Sequence, residues 1–224
     1  MRRIYIILLS LFLIFSYTSI GQVKSVPKGT KVLIETSLGN INIILYEGTP
    51  LHRNNFVKLV KEGFFDNQLF HRVIKNFMIQ GGDPNSKNAA KGQMLGIGGP
   101  KYTIPAEFNS SFYHKKGALA AARLGDDVNP KKSSSGSQFY IVHGNKFTAD
   151  QLNNMVKSGE HSVFTSQQIK DYTSIGGTPH LDGSYTVFGE VTAGFEILEK
   201  IAISPVDAND RPLQDIKYKM KIIK

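Results

Sequence analysis

Short runs of alternating apolar and polar residues recur along most of the chain after residue 30. Alternation, together with enrichment in β-branched and aromatic residues, predicts strands over residues 31–36, 40–46, 69–74, 77–81, 117–122, 137–142, 185–191 and 215–224. Turn residues join several of these runs, for example Ser37-Leu38-Gly39 and Lys75-Asn76. The pattern therefore predicts about eight short strands, mostly paired antiparallel.

Apolar residues at helical spacing predict two main helices. The first begins at Thr49 and Pro50, as cap and first position, and ends at Gly63; the second is centred on Leu198. Residues 144–179 form a different kind of segment, a surface insertion with two short helices that begin with capping-box patterns at residues 148 and 165. The predicted fold is mainly β: an eight-stranded antiparallel closed barrel capped by two helices, with a helical surface insertion.

The first 21 residues have the composition of a leader. Arg2 and Arg3 precede a nearly continuous apolar run over residues 4–15, and small residues follow at 19–21. This order predicts a secretory signal peptide that is cleaved before Gln22, so we expect an exported protein, either periplasmic or secreted. An uncleaved membrane anchor is the alternative, although the apolar run is short for a membrane span. Residues 22–30 are predicted to be a polar linker, and no stable membrane association is expected after cleavage.

Composition restricts the possible functions. The chain contains no cysteine, which excludes disulfides and thiolate chemistry. Loss of the leader removes two arginines and no acidic residue, which lowers the net charge from +9 to +7. Such a charge can indicate nucleic-acid binding, but the lysines are scattered, and those near the C-terminus alternate with apolar residues as on the solvent face of a strand. We expect no nucleic-acid partner, no metal and a monomer.

Three motifs occur in an order that resembles the cyclophilin family of peptidyl-prolyl cis–trans isomerases. Residues 70–83 read FHRVIKNFMIQGGD, residues 117–123 read GALAAAR before SGSQFYIV at 135–142, and LDG at 181–183 precedes YTVFGEV at 185–191. The resemblance covers residues 31–224, apart from the insertion. It implies an eight-stranded barrel with two capping helices, and isomerase activity on proline-containing polypeptides without a cofactor.

The resemblance also implies a set of site residues. Arg72 matches the catalytic arginine of the family. The substrate-binding positions that match are Phe77, Met78, Gln80, Ala122, Arg123, Gln138, Tyr140, His180, Leu181 and Tyr185. By strand alternation, Arg72 is expected on one face with Phe70 and Ile74, with His71 packed on the opposite face; of the adjacent Phe77 and Met78, only one is expected to face the core.

Three of these positions depart from the family pattern. Tyr140 stands where phenylalanine is frequent, Tyr185 where many members have histidine, and His180 where well-known members have tryptophan. The last change bears mainly on tight binding of the cyclic peptide drug that gave the family its name. The arginine and its neighbours are retained, so the isomerase prediction stands.

Arginine suits this reaction because no bond is broken. The X–Pro amide must twist across a barrier of roughly 18–20 kcal/mol. A planar, permanently charged donor can hydrogen-bond the amide nitrogen or the polarised carbonyl while the bond is twisted. A binding module that holds proline-containing segments with little turnover is the alternative function, and a plain surface arginine on a strand is the alternative interpretation of Arg72.

Overall fold

A computed structural model describes residues 29–224, which form one curled antiparallel sheet with four α-helices around it. The predicted leader and residues 22–28 lie outside the described residues. The strands are β1 (Gly29–Thr36), β2 (Gly39–Tyr46), β3 (Gln68–Leu69), β4 (Arg72–Ile74), β5 (Met78–Gly81), β6 (Thr103–Ile104), β7 (Ala118–Ala121), β8 (Ser134–Ser135), β9 (Phe139–Val142), β10 (Val187–Ala193) and β11 (Lys217–Ile223). The nine-stranded sheet has the order β3-β11-β1-β2-β10-β7-β9-β5-β4, and β6 and β8 form a separate pair. The helices are α1 (Pro50–Lys61), α2 (Ala149–Lys157), α3 (Ser166–Ser174) and α4 (Phe195–Ala202).

The mainly-β prediction is confirmed, with two corrections. The predicted strand at residues 69–74 is divided into β3 and β4, which pair with β11 and β5 at the two ends of the sheet. One stretch of chain thus forms both edges, so the closed barrel is an approximate description of a curled sheet. The predicted linker also extends too far, because β1 already begins at Gly29 and pairs with β2 from that residue.

Alternation along the strands divides the side chains between an interior core and the outer face. The interior core contains residues from β1, β2, β9 and β11 together with apolar residues of α1 and α4. In β11 the prediction is confirmed: Tyr218 and Met220 are buried, whereas Lys219 and Lys221 are exposed and pair with Glu35 at 3.4 and 3.0 Å. The two predicted main helices correspond to α1 and α4, and both pack on the interior core.

Helix α1 begins where predicted, but a distant residue caps it. Thr49 occupies the N-cap position without a capping hydrogen bond from its side chain. The carboxylate of Glu107 instead accepts the backbone N–H groups of Leu51 and His52 at 3.0 and 2.9 Å. A carboxylate at this end also interacts favourably with the helix dipole. The segment that precedes β7 is thereby fixed to α1.

The insertion contains the two predicted helices, α2 and α3, and both predicted capping boxes are confirmed. The insertion has its own apolar cluster, in which Leu152, Phe164 and Tyr172 are buried. Among residues 29–224, no helix is long and apolar enough to cross a membrane.

Candidate functional site

A cavity of about 450 Å³ opens on the outer face of the sheet, beside β4, β5 and β9. Nine of the eleven predicted site residues line it: Arg72, Phe77, Met78, Gln80, Ala122, Arg123, Tyr140, Leu181 and Tyr185. Alternation explains part of this arrangement, because Phe139 and Ile141 of β9 enter the interior core and leave Tyr140 on the outer face. Residues that are far apart in the sequence thus meet at one cavity.

Arg72 supplies the cationic wall of the cavity. Its side chain is 43% exposed, and its Nε lies 3.4 Å from Oδ2 of Asp210 in the loop before β11. Gln80 is the cross-strand partner of Arg72, but its amide donates to Gln138 at 2.9 Å instead of contacting the guanidinium. Asp210, which no motif in the sequence marks, is therefore the charged partner of Arg72.

Apolar and aromatic side chains form the opposite side of the cavity. Met78 and Tyr140 are buried at 2% and 5% exposure, and Phe77, Leu181 and Tyr185 pack against the same outer cluster. The expectation that Phe77 and Met78 face opposite sides is wrong, because β5 begins at Met78 and Phe77 belongs to the preceding turn. Both side chains thus belong to the outer cluster and can contact an apolar ring in the cavity.

Arg123 forms part of the far wall without presenting a free charge. Its guanidinium lies 4.4 Å from the centroid of the Tyr185 ring, a cation–π distance. Its Nε donates to the carbonyl of Ser184 at 2.8 Å, and a terminal nitrogen pairs with Asp126 at 2.6 Å. These contacts fix the orientation of Tyr185 beside the cavity.

The glycine-rich loop at residues 92–100 is held against the site by two buried polar groups. Gln138 donates to the carbonyls of Gly96 and Gly98 at 2.9 and 2.8 Å. Asp83, which is fully buried, accepts the N–H groups of the same two glycines at 2.6 and 3.3 Å. A Cβ at Gly98 would lie 2.1 Å from Asp83 Oδ1, so only glycine allows this approach. Gln138 itself does not line the cavity and instead supports the loop beside it.

The predicted faces of residues 70–74 require correction. Phe70 and His71 lie between β3 and β4, so strand alternation does not continue through them. Phe70 enters the interior core, with its ring 4.7 Å from that of Tyr218, and does not share a face with Arg72. His71 is buried as predicted but lines the same cavity as Arg72. Burial lowers the pKa of His71 to about 4.

His180 lies outside the cavity lining. It is exposed, and its ring stacks on Phe77 with a centroid distance of 5.9 Å and an interplanar angle of 25°. No residue of the insertion lines the cavity itself. The insertion is connected to the site through Asp182, which follows Leu181 and binds Tyr172 of α3 at 2.6 Å.

Comparison with known proteins agrees with this geometry. The family model for "Cyclophilin type peptidyl-prolyl cis-trans isomerase/CLD" matches residues 31–221. A putative peptidyl-prolyl cis-trans isomerase of Staphylococcus saprophyticus is 35% identical over 83% of this chain and 87% of its own length. A putative bifunctional phosphatase/peptidyl-prolyl cis-trans isomerase of Streptococcus pyogenes is 35% identical over 84% of this chain, which spans only 37% of that protein.

A solved structure extends the comparison to the fold. The crystal structure of a cyclophilin type peptidyl-prolyl cis-trans isomerase from Cryptosporidium parvum superimposes with a TM-score of 0.63 and 26% identity. The match covers 88% of this chain and 99% of that structure. Family model, relatives and fold agree: this chain belongs to the cyclophilin-type peptidyl-prolyl cis–trans isomerases.

Proposed function

We propose that the cavity binds the proline ring of exported polypeptides and that Arg72 stabilises the twisted X–Pro amide during its rotation. The cavity supports this proposal because Arg72, whose side chain is 43% exposed, lies beside apolar and aromatic side chains, whereas the guanidinium groups of Arg123 and Arg211 are paired with Asp126 and Asp215. The ring enters the apolar side, and the amide nitrogen or carbonyl then faces the charge. We assign Arg72 as the catalytic residue and the other cavity residues as the binding surface.

The free energy needed for catalysis can be compared with what Arg72 alone can contribute. Millisecond turnover requires an acceleration of about 10⁴–10⁵, which corresponds to roughly 5.5–7 kcal/mol. One hydrogen bond to a charged group contributes about 1.5–3 kcal/mol. The remainder must come from a cavity that excludes water and fits the twisted amide better than either planar form. Arg72 therefore cannot supply the whole acceleration alone.

Exchange NMR tests the catalytic assignment. The protein would consist of residues 22–224, which include the whole described fold, and cis–trans exchange of a short X–Pro peptide would be followed. Arg72→Ala should reduce turnover by about tenfold or more, whereas Arg53→Ala, which removes the same charge from α1 outside the cavity, should not. Peptide binding without accelerated exchange in the unmodified protein would instead favour the binding-module alternative.

The cellular role is part of the proposal. A basic start, an apolar run and small residues at positions 19–21 support export, and the substrates would then be proteins that fold outside the cytoplasm. Cell fractionation with N-terminal sequencing is expected to find a protein that begins at Gln22 in the exported fraction. Size-exclusion chromatography of that protein is expected to find a monomer. A full-length protein that remains in the cytoplasm would contradict this role.

A further inference from the structure

Tyr140 combines a ring at the cavity with a hydroxyl that is bound behind it. The side chain lines the cavity, and its hydroxyl lies 3.0 Å from Nε2 of His114, a histidine with no exposed surface. Burial raises the pKa of the Tyr140 phenol well above its usual value, so the phenol keeps its proton at neutral pH. Either Tyr140 donates this hydrogen bond or His114 does, and the choice determines where the hydroxyl proton points.

Asp182 determines which group donates. Its Oδ1 lies 2.8 Å from Nδ1 of His114 and also accepts the backbone N–H of His114 at 2.8 Å. Burial tends to raise the pKa of Asp182, but hydrogen bonds from His114 and Tyr172 hold it below its usual value, so it is a carboxylate. A carboxylate only accepts, so Nδ1 carries the proton. We take the ring to be neutral, and Nε2 is then the acceptor, so the Tyr140 hydroxyl donates to it, away from the cavity.

The insertion holds the other side of the same carboxylate. Oδ2 of Asp182 accepts the hydroxyl of Tyr172 at 2.6 Å and lies 3.1 Å from Nε2 of His161. Tyr172 is fully buried in α3, and His161 stacks on Phe164 with a centroid distance of 3.8 Å. Both groups belong to residues 144–179, so a continuous chain of hydrogen bonds joins the insertion to the cavity.

The orientation of the hydroxyl affects the binding of a proline ring. A ring of CH₂ groups offers no acceptor, so a hydroxyl that turned towards it would lose its partner in a desolvated place. When the hydroxyl is bound to His114, only the aromatic surface of Tyr140 faces the proline ring.

We propose that His114 and Asp182 are positioning residues that hold the Tyr140 hydroxyl away from the bound proline, and that the insertion tunes proline binding through Tyr172. This inference rests on the proposed function, because it concerns the same cavity.

A double-mutant cycle tests the link between His114 and Tyr140. His114→Asn keeps a donor near the Nδ1 position for Asp182 but removes the Nε2 acceptor. It is expected to raise KM and peptide Kd about fivefold to tenfold, with a smaller effect on kcat. In a Tyr140→Phe background there is no hydroxyl to release, so the same substitution should change KM by less than about twofold. Equal effects in both backgrounds would overturn the proposal.

A second cycle tests the insertion with a matched control. Tyr172→Phe removes the hydroxyl that binds Asp182, and Tyr113→Phe removes a hydroxyl that binds Asp171 at the same distance, 2.6 Å, in the same cluster. We expect Tyr172→Phe to raise KM about threefold when Tyr140 is present and to have no effect in Tyr140→Phe, whereas Tyr113→Phe should leave KM unchanged in both. Equal effects of the two substitutions would refute a specific role for the insertion.

A third measurement needs no variant that could fail to fold. Long-range ¹H–¹⁵N correlation of the unmodified protein reports the tautomer of His114, and we expect protonated Nδ1 with unprotonated Nε2. A proton on Nε2 would overturn the proposal. If Arg72→Ala left turnover unchanged, the proposed catalytic function would fail, while the tautomer and the cycles measured on peptide Kd would still decide this inference.

Discussion

The contact between Arg72 and Asp210 predicts that catalysis and stability respond differently to the same substitution. The two side chains are 43% and 40% exposed, and Nε lies 3.4 Å from Oδ2. Exposed ion pairs of this kind contribute about 0.2–1 kcal/mol, because water screens the charges. Asp210→Asn keeps the shape of the side chain and tolerates the positive φ of 63° at this position. We therefore expect the free energy of unfolding to change by less than about 1 kcal/mol.

Turnover should respond more clearly. The carboxylate of Asp210 lies beside Nε and favours guanidinium orientations in which the two terminal nitrogens are available to the amide. A neutral amide lacks the charge that attracts the guanidinium, so the arginine regains some rotamer freedom that must be lost again in the transition state. A cost of about 0.5–1 kcal/mol corresponds to a decrease in kcat/KM of about twofold to fivefold.

Exchange NMR on an X–Pro peptide measures the turnover, and urea unfolding measures the stability. Asp127→Asn is the matched control, because Asp127 is exposed and forms none of the ion pairs found within residues 29–224. Turnover that stayed equal, or rose because the arginine was no longer neutralised, would refute the reasoning. An unchanged turnover would mean that Asp210 does not orient Arg72, and an increased turnover would mean that Asp210 competes with the substrate for the guanidinium.

Three further predictions follow from buried or distant polar contacts. Because burial lowers the pKa of His71 from 6.5 to about 4, its stabilising contribution is complete above pH 6.5 and is lost as the pH falls towards 4. The unmodified protein should therefore lose about 3 kcal/mol more than His71→Phe between pH 7 and pH 4, as measured by urea unfolding, and parallel profiles would contradict this. Asp83→Ala should remove hydrogen-exchange protection from the amides of Gly96 and Gly98 and weaken peptide binding; retained protection would show that Gln138 alone holds the loop. Glu107→Gln should destabilise the protein by about 0.5–1 kcal/mol without changing kcat, because the carboxylate caps α1 and does not line the cavity.

Local patterns in the sequence were sufficient to predict the type of most elements, and the family motifs predicted most of the cavity residues. Period-two alternation correctly assigned both faces of β11, and the capping boxes correctly located α2 and α3. These features are local: they depend on residues two to four positions apart, which the chain always displays. The family motifs then identified nine residues that the structure brings to one cavity.

Features that depend on distant contacts could be recognised only in the folded chain. The chain bends between β3 and β4 because the two halves pair with different strands, and this bend separates Phe70 from Arg72. Asp210 reaches Arg72, and Tyr172 reaches Asp182, only because loops and the insertion pack against the sheet. No local pattern encodes such partners, since a carboxylate meets donors that are distant in the sequence only through the packing of the folded chain, whether it is half-exposed like Asp210 or nearly buried like Asp182.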